Sequence, residues 1–385
     1  MKIAILTYPL SNNYGCLLQV YALQTVLERM GHSVVVINKQ DWRVASFVGW
    51  GIRLLKNIFL RNLCRRKSRP LTSTVFLNRK KYLRVISSNF IDFICKNLHL
   101  SSEVYFTKTM KWKIGVFDAY IVGSDQVWRY SYLRNISTYF LDFAPRDKIK
   151  IAYAASFGVD TWEYSWKDTL KCRNLLRQFK AVSVREETAV TLCRKYFNVN
   201  ALHVVDPTML ILSEKYKEKF HLSDSEKTSG AFIYILDCSL LKSSVIDFVC
   251  NYLSLDKYAV MPEALNKSTV VNIEKCVFPS IEFWLQKMYA SDYVITDSFH
   301  GCVFSIILNR PFIVINNDSR GRARIISLLK NLELSDRLVF SLSEVEKILN
   351  TDINWESVNN ELSKLREYSL EFLKEYLNDS FKYNN

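Results

Sequence analysis

Residues 291–316, SDYVITDSFHGCVFSIILNRPFIVIN, constrain the fold more than any other stretch of the chain. Residues 292–296 form a short apolar run with β-branched side chains, the pattern of a buried strand. Residues 302–308 are apolar over the length of a short helix, Arg310-Pro311 stops it, and residues 312–315 read as a second strand. Strand, loop, helix, strand is the βαβ unit of a parallel sheet. The loop TDSFHG then lies at the carboxyl end of a strand and the amino end of a helix, where open α/β sheets bind ligands. Free backbone N–H groups and the positive end of the helix dipole favour an anion at that place. The loop holds His300, one of five histidines, beside Asp297 and Ser298. These residue types also serve as ordinary helix caps, so the loop by itself suggests a site and not a reaction.

The amino terminus repeats the pattern. Residues 2–7 read as a strand, 9–15 as a polar loop, 16–30 as a helix closed by Gly31, and 32–38 as the next strand. The loop SNNYG is not GxGxxG, so a dinucleotide fingerprint is absent. Further strands at 118–122, 150–155, 181–184 and 204–205 run into GSDQVW, SFG, Arg185-Glu186 and DPT. Five polar loops on the same edge of one parallel sheet would make a continuous polar rim. A chain of 385 residues has room for two domains. The polar, charged stretch 212–230 divides them, so residues 1–211 form the first domain, 231–350 the second with DSFHG, and 351–385 a terminal helix that could cross back. In the second domain a strand at 231–236, a helix at 242–253, a strand near 258–261 and a helix at 281–290 lead into the opening stretch, and the basic loop NDSRGRAR follows it. The expected fold class is α/β, two doubly wound Rossmann-like domains facing across a cleft, the architecture called GT-B.

Composition narrows the function classes. With 49% hydrophobic and 23% charged residues the chain is globular. Nine cysteines without CxxC spacing, Cys95, Cys193, Cys250 and Cys302 among them, read as buried small hydrophobes in a reducing compartment. No run of about 18 apolar residues suggests a spanning helix, and the first residues do not read as a signal peptide. The net charge of +14 suits a nucleic acid, an anionic membrane or a phosphorylated substrate. No helix-turn-helix, RNP motif or zinc-finger spacing supports the nucleic acid. Residues 43–84 interleave Leu54, Leu55, Ile58 and Phe59 with Arg53, Lys56, Arg61, Arg65, Arg66, Lys67 and Arg69. A basic amphipathic helix of this kind suits a membrane interface, or packs on its domain with the charges in water. The expected location is the cytoplasm, peripheral on the inner leaflet of the cell membrane.

The candidate groups are His300 and Asp297 from the second domain, and Arg185, Asp125 and Asn13 from the first. Arginine binds carboxylate or phosphate bidentately, and histidine moves protons near neutral pH. No acidic cluster has metal-ligand spacing, so no metal is expected.

Taken together, SNNYGCLLQVYALQ, VGSDQVW, IAYAASFG, SVREETA, VVDPT and SDYVITDSFHG, with a weaker match through NDSRGRARIISLL, resemble the polysaccharide pyruvyl transferase family. The resemblance implies a GT-B-like fold and transfer of a pyruvyl group from phosphoenolpyruvate to two hydroxyls of a sugar. The product is a cyclic ketal, phosphate is released, and the setting is surface or capsular polysaccharide biosynthesis. It implies no cofactor beyond phosphoenolpyruvate as co-substrate, and as partner a sugar acceptor, free or lipid-linked. The resemblance implies that His300 and Arg185 contact the donor, with Ser298 and Gly301 in the same motif as donor-binding positions; some group must also pass protons, and His300 is the first choice, Asp125 the second. Ser298 stands where the family has an arginine, so Arg322 and Arg324, or Arg129, would supply the missing charge. Asn13, Tyr14, Gly15, Gly123, Ser124, Gln126, Trp128, Ser156 and Asp297 fall in the remaining motifs as expected substrate-binding positions. The alternative in the same architecture is a glycosyltransferase with a nucleotide-sugar donor. It would need an acidic or aromatic nucleotide pocket in the second domain, and no stretch there reads as one.

Overall fold

Short β-branched runs alternate with helices along the chain, and they assemble into two parallel sheets. The computed structural model describes residues 1–10, 12–39, 79–107, 110, 114–133, 135–223, 230–266 and 269–378. The first sheet holds β1 (Lys2–Leu6), β2 (Ser33–Val36), β3 (Ala119–Asp125), β4 (Ile149–Ala155), β5 (Ala181–Val184) and β6 (Leu202–His203), in the order β2-β1-β3-β4-β5-β6. The second holds β7 (Ala231–Tyr234), β8 (Lys257–Ala259), β9 (Tyr293–Thr296), β10 (Phe312–Ile315) and β11 (Leu338–Val339), in the order β11-β10-β9-β7-β8. Every pairing is parallel. Each sheet reverses its strand order beside its first strand, between β1 and β3 and between β7 and β9. At such a point the connections leave toward opposite faces of the sheet and open a crevice at the carboxyl ends. This is the two-domain α/β architecture expected from the sequence.

Helices cover both faces, which is why β3, β5, β7, β9 and β10 are buried along their whole length. Helix α1 (Tyr14–Arg29) begins at Asn13, whose Oδ1 accepts from the Cys16 N–H at 3.1 Å. Helices α2 (Ile281–Ala290) and α3 (Phe299–Ile307) flank β9, and α4 (Ala323–Asn331) follows β10. All nine residues of α3 are buried. A helix so enclosed needs no polar face, and the sequence FHGCVFSII offers almost none.

One hydrophobic core runs through both domains. Tyr14 of α1 stacks on Trp284 of α2 at 5.1 Å and donates its hydroxyl to the Pro279 carbonyl at 2.9 Å. The terminal helix α5 (Trp355–Leu377) returns to the first domain. There Ser369 Oγ accepts from the Val205 N–H at 3.1 Å, Arg366 Nε donates to the Met209 carbonyl at 2.8 Å, and Phe372 packs against Tyr153.

Several expectations need correction. The stretch 212–230, read as a polar linker without strand character, opens with a helix at Ser213–Phe220 that buries Tyr216 and Phe220. The last strand of the first sheet is β6 at Leu202–His203, two residues before the Val204-Val205 pair that suggested it. Cys193, Cys250 and Cys302 are buried as expected, but Cys95 is exposed. Most of the basic segment 43–84 lies outside the described residues, which resume with a helix at Arg79–Ile86. Among the described residues no helix is long and apolar enough to cross a membrane.

Candidate functional site

The crevices of the two sheets face each other and form one cleft of ≈ 320 Å³. The loop after β1 contributes Tyr8, Asn12 and Asn13, and the end of β3 contributes Asp125 and Gln126. From the second domain come Leu236 after β7 and Asp297, Ser298, Phe299 and His300 after β9. The loop before α4 adds Asn317 and Arg320, and the first turn of α4 adds Arg324.

The amino ends of α1 and α3 meet at this cleft. Asn13 caps α1, and Ser298 caps α3 by accepting from the Gly301 N–H at 3.5 Å. Gly15 in the first turn of α1 lies so close to His300 that a Cβ at position 15 would overlap the imidazole. The His300 ring therefore rests on the backbone of α1, and two positive helix ends converge on one place.

Behind His300 lies a buried ion network. Arg185, at the end of β5, pairs through Nη1 with Asp206 Oδ2, and its Nη2 stands 3.4 Å from Asp125 Oδ1. Asp206 also accepts from Ser124 Oγ at 3.1 Å, the Thr208 N–H at 3.1 Å and Thr208 Oγ1 at 2.7 Å. Burial alone would raise the Asp206 pKa, but Arg185, His300 and Thr208 outweigh it and hold the carboxyl well below the usual range. Burial would likewise lower the pKa of Arg185, and Asp206, Asp125 and Glu186 reverse that. His300 Nε2 lies 3.7 Å from Asp206 Oδ2, beyond hydrogen-bond length, and is buried without a hydrogen-bond partner among the described residues. It is a proton-carrying atom left uncommitted beside a fixed negative charge. Asp125 itself has φ 73°, a left-handed conformation uncommon for a residue with a side chain and one that clusters at functional sites.

Across the cleft Asp297 is fully buried and heavily committed. It accepts from the backbone N–H groups of Leu236 and Asp237, from Lys242 Nζ at 2.7 Å and from Asn317 Nδ2 at 2.8 Å. Arg320 pairs with Asp237 through two contacts, Nε to Oδ2 at 2.7 Å and Nη2 to Oδ1 at 2.8 Å. These bonds tie the loops after β7, β9 and β10 into one rigid wall.

The structure thus brings His300, Asp125, Asn13, Gln126, Asp297, Ser298 and Arg324 to one cleft. It places other expected residues elsewhere. Trp128 is a core residue, stacked on Phe140 at 5.0 Å with Nε1 donating to the Tyr139 carbonyl. Tyr14 joins the two domains rather than facing the cleft. Ser156 is buried, with its hydroxyl donating to Glu186 at 3.0 Å. Gly123 packs on the Tyr153 carbonyl, and Gly301 packs on the Thr296 side chain. Ser124 belongs to the buried network and not to the surface of the cleft. Arg185 lies beneath Phe299, 4.4 Å from the ring centroid, and its side chain is 1% exposed. Arg322 pairs with Asp318 and faces a separate groove with Gly158 and Asp160.

The sequence reading gave no role to Asp206, although its loop DPT stood among the strand-end loops. Phe299 and Arg320 were missed as well. Their signal was position alone, beside the histidine and within NDSRGRAR.

With this geometry described, comparison with known proteins adds the following. The sequence model of the family described as polysaccharide pyruvyl transferase matches residues 13–319. No curated protein sequence matches the chain significantly. Among solved structures, the chain is similar to the UDP-GlcNAc 2-epimerase from Neisseria meningitidis bound to UDP-GlcNAc, at 12% identity and TM-score 0.47, covering 98% of this chain and 99% of that one. It is similar to a putative UDP-N-acetylglucosamine 2-epimerase from Listeria monocytogenes at 11% identity and TM-score 0.48, covering 99% and 96%. It is also similar to an alpha-glucosyltransferase in complex with UDP, at 10% identity and TM-score 0.43, covering 99% and 97%.

Proposed function

The chain belongs to the polysaccharide pyruvyl transferase family and is a transferase, and from that premise we propose that it moves a pyruvyl group from phosphoenolpyruvate onto two hydroxyls of a sugar residue. The observation that carries this reading is the meeting of two helix amino ends with an uncommitted imidazole at facing strand-order reversals. Phosphoenolpyruvate bears a carboxylate and a phosphate, and helix amino ends stabilise both. The acceptor is a sugar of a growing surface polysaccharide, lipid-linked in the fuller form of this reading.

The chemistry follows from the donor. A proton is added to C3, and C2 becomes electrophilic. One sugar hydroxyl adds at C2, the C2–O bond to phosphate breaks with its electron pair leaving on phosphate, and the second hydroxyl closes the ketal. Of the two hydroxyl protons, one balances the proton placed on C3 and one leaves with phosphate. The His300 imidazole, which lines the cleft, is the group assigned to carry a proton, with Asp125 second. Asp206 and Arg185 hold their charges fixed behind it and orient the imidazole from below. Aligning the groups this way costs no reorganisation during reaction.

The test is phosphate release from phosphoenolpyruvate against galactosyl, glucosyl and N-acetylmannosaminyl lipid mimics. His300→Ala is expected to keep its circular dichroism spectrum and lose ~100-fold or more in turnover. Retention of more than about a tenth of the wild-type rate would remove His300 from proton transfer.

A further inference from the structure

A donor with two anionic groups needs a cation that can reach it, and position 298, beside the histidine, carries a serine. The arginines around the cleft differ in how far they are already committed. Arg185 is spent on Asp206 and Asp125. Arg320 has its fork on Asp237. Arg322 is bound to Asp318 in another groove. Arg129 pairs with Glu163 at 3.4 Å and lies over the Tyr132 ring.

Arg324 is different. It lines the cleft, yet its side chain is only 7% exposed, so the protein has built a place for it. Nε donates to the Gly321 carbonyl at 3.4 Å and Nη2 to the Arg320 carbonyl at 2.5 Å, which fixes the guanidinium plane. Nη1 makes no hydrogen bond among the described residues. The nearest anion is Asp125 Oδ1 at 3.8 Å, too far for one. The guanidinium also lies 5.2 Å from the Phe299 ring centroid, immediately beside His300 in the chain. Burial and the neighbouring charge of Arg185 push its pKa down to about 10, so it stays charged at neutral pH. Burying a charge with an unused donor is costly unless a ligand completes it.

We infer that Arg324 is the donor-specificity residue, holding an anionic group of the donor, phosphate or carboxylate, through Nη1 at the amino end of α3. This deepens the pyruvyl-transfer reading and rests on it for the identity of the donor. The charge absent at position 298 arrives from a different helix, α4, by way of Phe299. Asp125 keeps the guanidinium oriented until the donor's oxygen takes the nearer place.

Calorimetry on the full chain tests this with three probes: phosphoenolpyruvate, inorganic phosphate and pyruvate. Arg324→Gln is expected to weaken phosphoenolpyruvate binding by about 10- to 100-fold, the usual value of a hydrogen bond to a charged group. Arg324→Lys should also weaken it, because an ammonium cannot keep two carbonyls and reach the donor with a third contact in one plane. Arg322→Gln, outside the cleft, should leave it unchanged, and thermal melts show whether each variant is folded. Loss with inorganic phosphate assigns the phosphate end, and loss with pyruvate the carboxylate end. If wild type binds phosphoenolpyruvate and both Arg324 variants, folded, bind it within twofold of wild type, the inference is wrong while the proposed reaction stands. If wild type binds phosphate but not phosphoenolpyruvate, and Arg324→Gln abolishes that, the anion site stands and the proposed reaction falls. If wild type binds none of the three probes, both fall.

Discussion

At Gly15 the absence of one methyl group decides where the candidate catalytic imidazole can lie. Gly15→Ala is expected to keep the helix, since alanine favours it by about 1 kcal/mol over glycine, but to push His300 off the backbone of α1. Turnover should fall ~100-fold, the usual value of a proton-transferring group, with the far-ultraviolet spectrum unchanged. A Gly15→Ala enzyme at full rate would show that the contact does not position His300. The ion network behind the histidine makes a second prediction at this scale. Asp206→Asn leaves Arg185 buried with weaker partners and should cost about 3–5 kcal/mol at neutral pH. The folded-state pKa of Asp206 is depressed, so its stabilising contribution is complete above the unfolded carboxyl value of about 3.9 and is lost as pH falls below it. The stability gap between wild type and Asp206→Asn, read from urea melts, should therefore narrow from pH 6 to pH 3. A gap independent of pH would mean that Asp206 is not ionised in the folded protein. Of these residues, His300 and Arg185 were legible from chemistry and position. Asp206 was not given a role, because a carboxylate that serves from behind looks in sequence like any aspartate before a proline.

Among the elements, the strands were the most legible part of the chain, because β-branched runs bounded by polar loops have few other uses. Their parallel order put five polar loops on one edge, as the sequence suggested, and the first two of them line the cleft through Asn12, Asn13, Asp125 and Gln126. What the sequence does not carry is the direction in which a loop side chain points. GSDQVW reads as a loop after a strand, yet β3 continues through Gly123 and Ser124 to Asp125. The chain then folds back, and Val127 and Trp128 drop into the core beneath. The helix at Ser213–Phe220 was illegible for a different reason. Its apolar face is only Tyr216 and Phe220, one pair four residues apart in SEKYKEKF, too short a stripe to show periodicity. The placement of Trp128 separates packing from binding. Trp128→Ala should destabilise the fold by about 3–5 kcal/mol through the cavity it leaves, without a direct effect on donor affinity. Denaturant melts and calorimetry on the folded fraction check both halves. A normal melt with weakened donor binding would return Trp128 to the cleft.

At the scale of the whole molecule, the two domains are held very differently on the two sides of the cleft. On one side the junction is apolar and continuous, through Tyr14, Trp284 and the returning helix α5. On the other the described contacts are polar and local: the Tyr132 hydroxyl donates to the Ser319 carbonyl at 3.4 Å, the Glu187 N–H to Ser327 Oγ at 3.0 Å and Lys330 Nζ to Glu187 at 2.7 Å, and Gly321 packs its Cα against the Gly158 carbonyl. Gly321 has φ 85°, a region that favours glycine, and any Cβ there would overlap the Gly158 oxygen. Backbone cannot yield as a side chain can, so Gly321→Ala must part the domains along this rim. The strain at position 321 should cost about 1–3 kcal/mol. The larger effect should be on the donor, because the Gly321 carbonyl is the acceptor that holds Arg324 Nε, three residues away. The expected result is a modest loss in melting temperature together with about tenfold weaker phosphoenolpyruvate binding, the share of a charge-assisted hydrogen bond lost from Arg324. Combining Gly321→Ala with Arg324→Gln should then weaken binding no further than Arg324→Gln alone, since both act on the same contact. Additive losses in that double-mutant cycle would mean that the rim acts on the donor by some path other than Arg324.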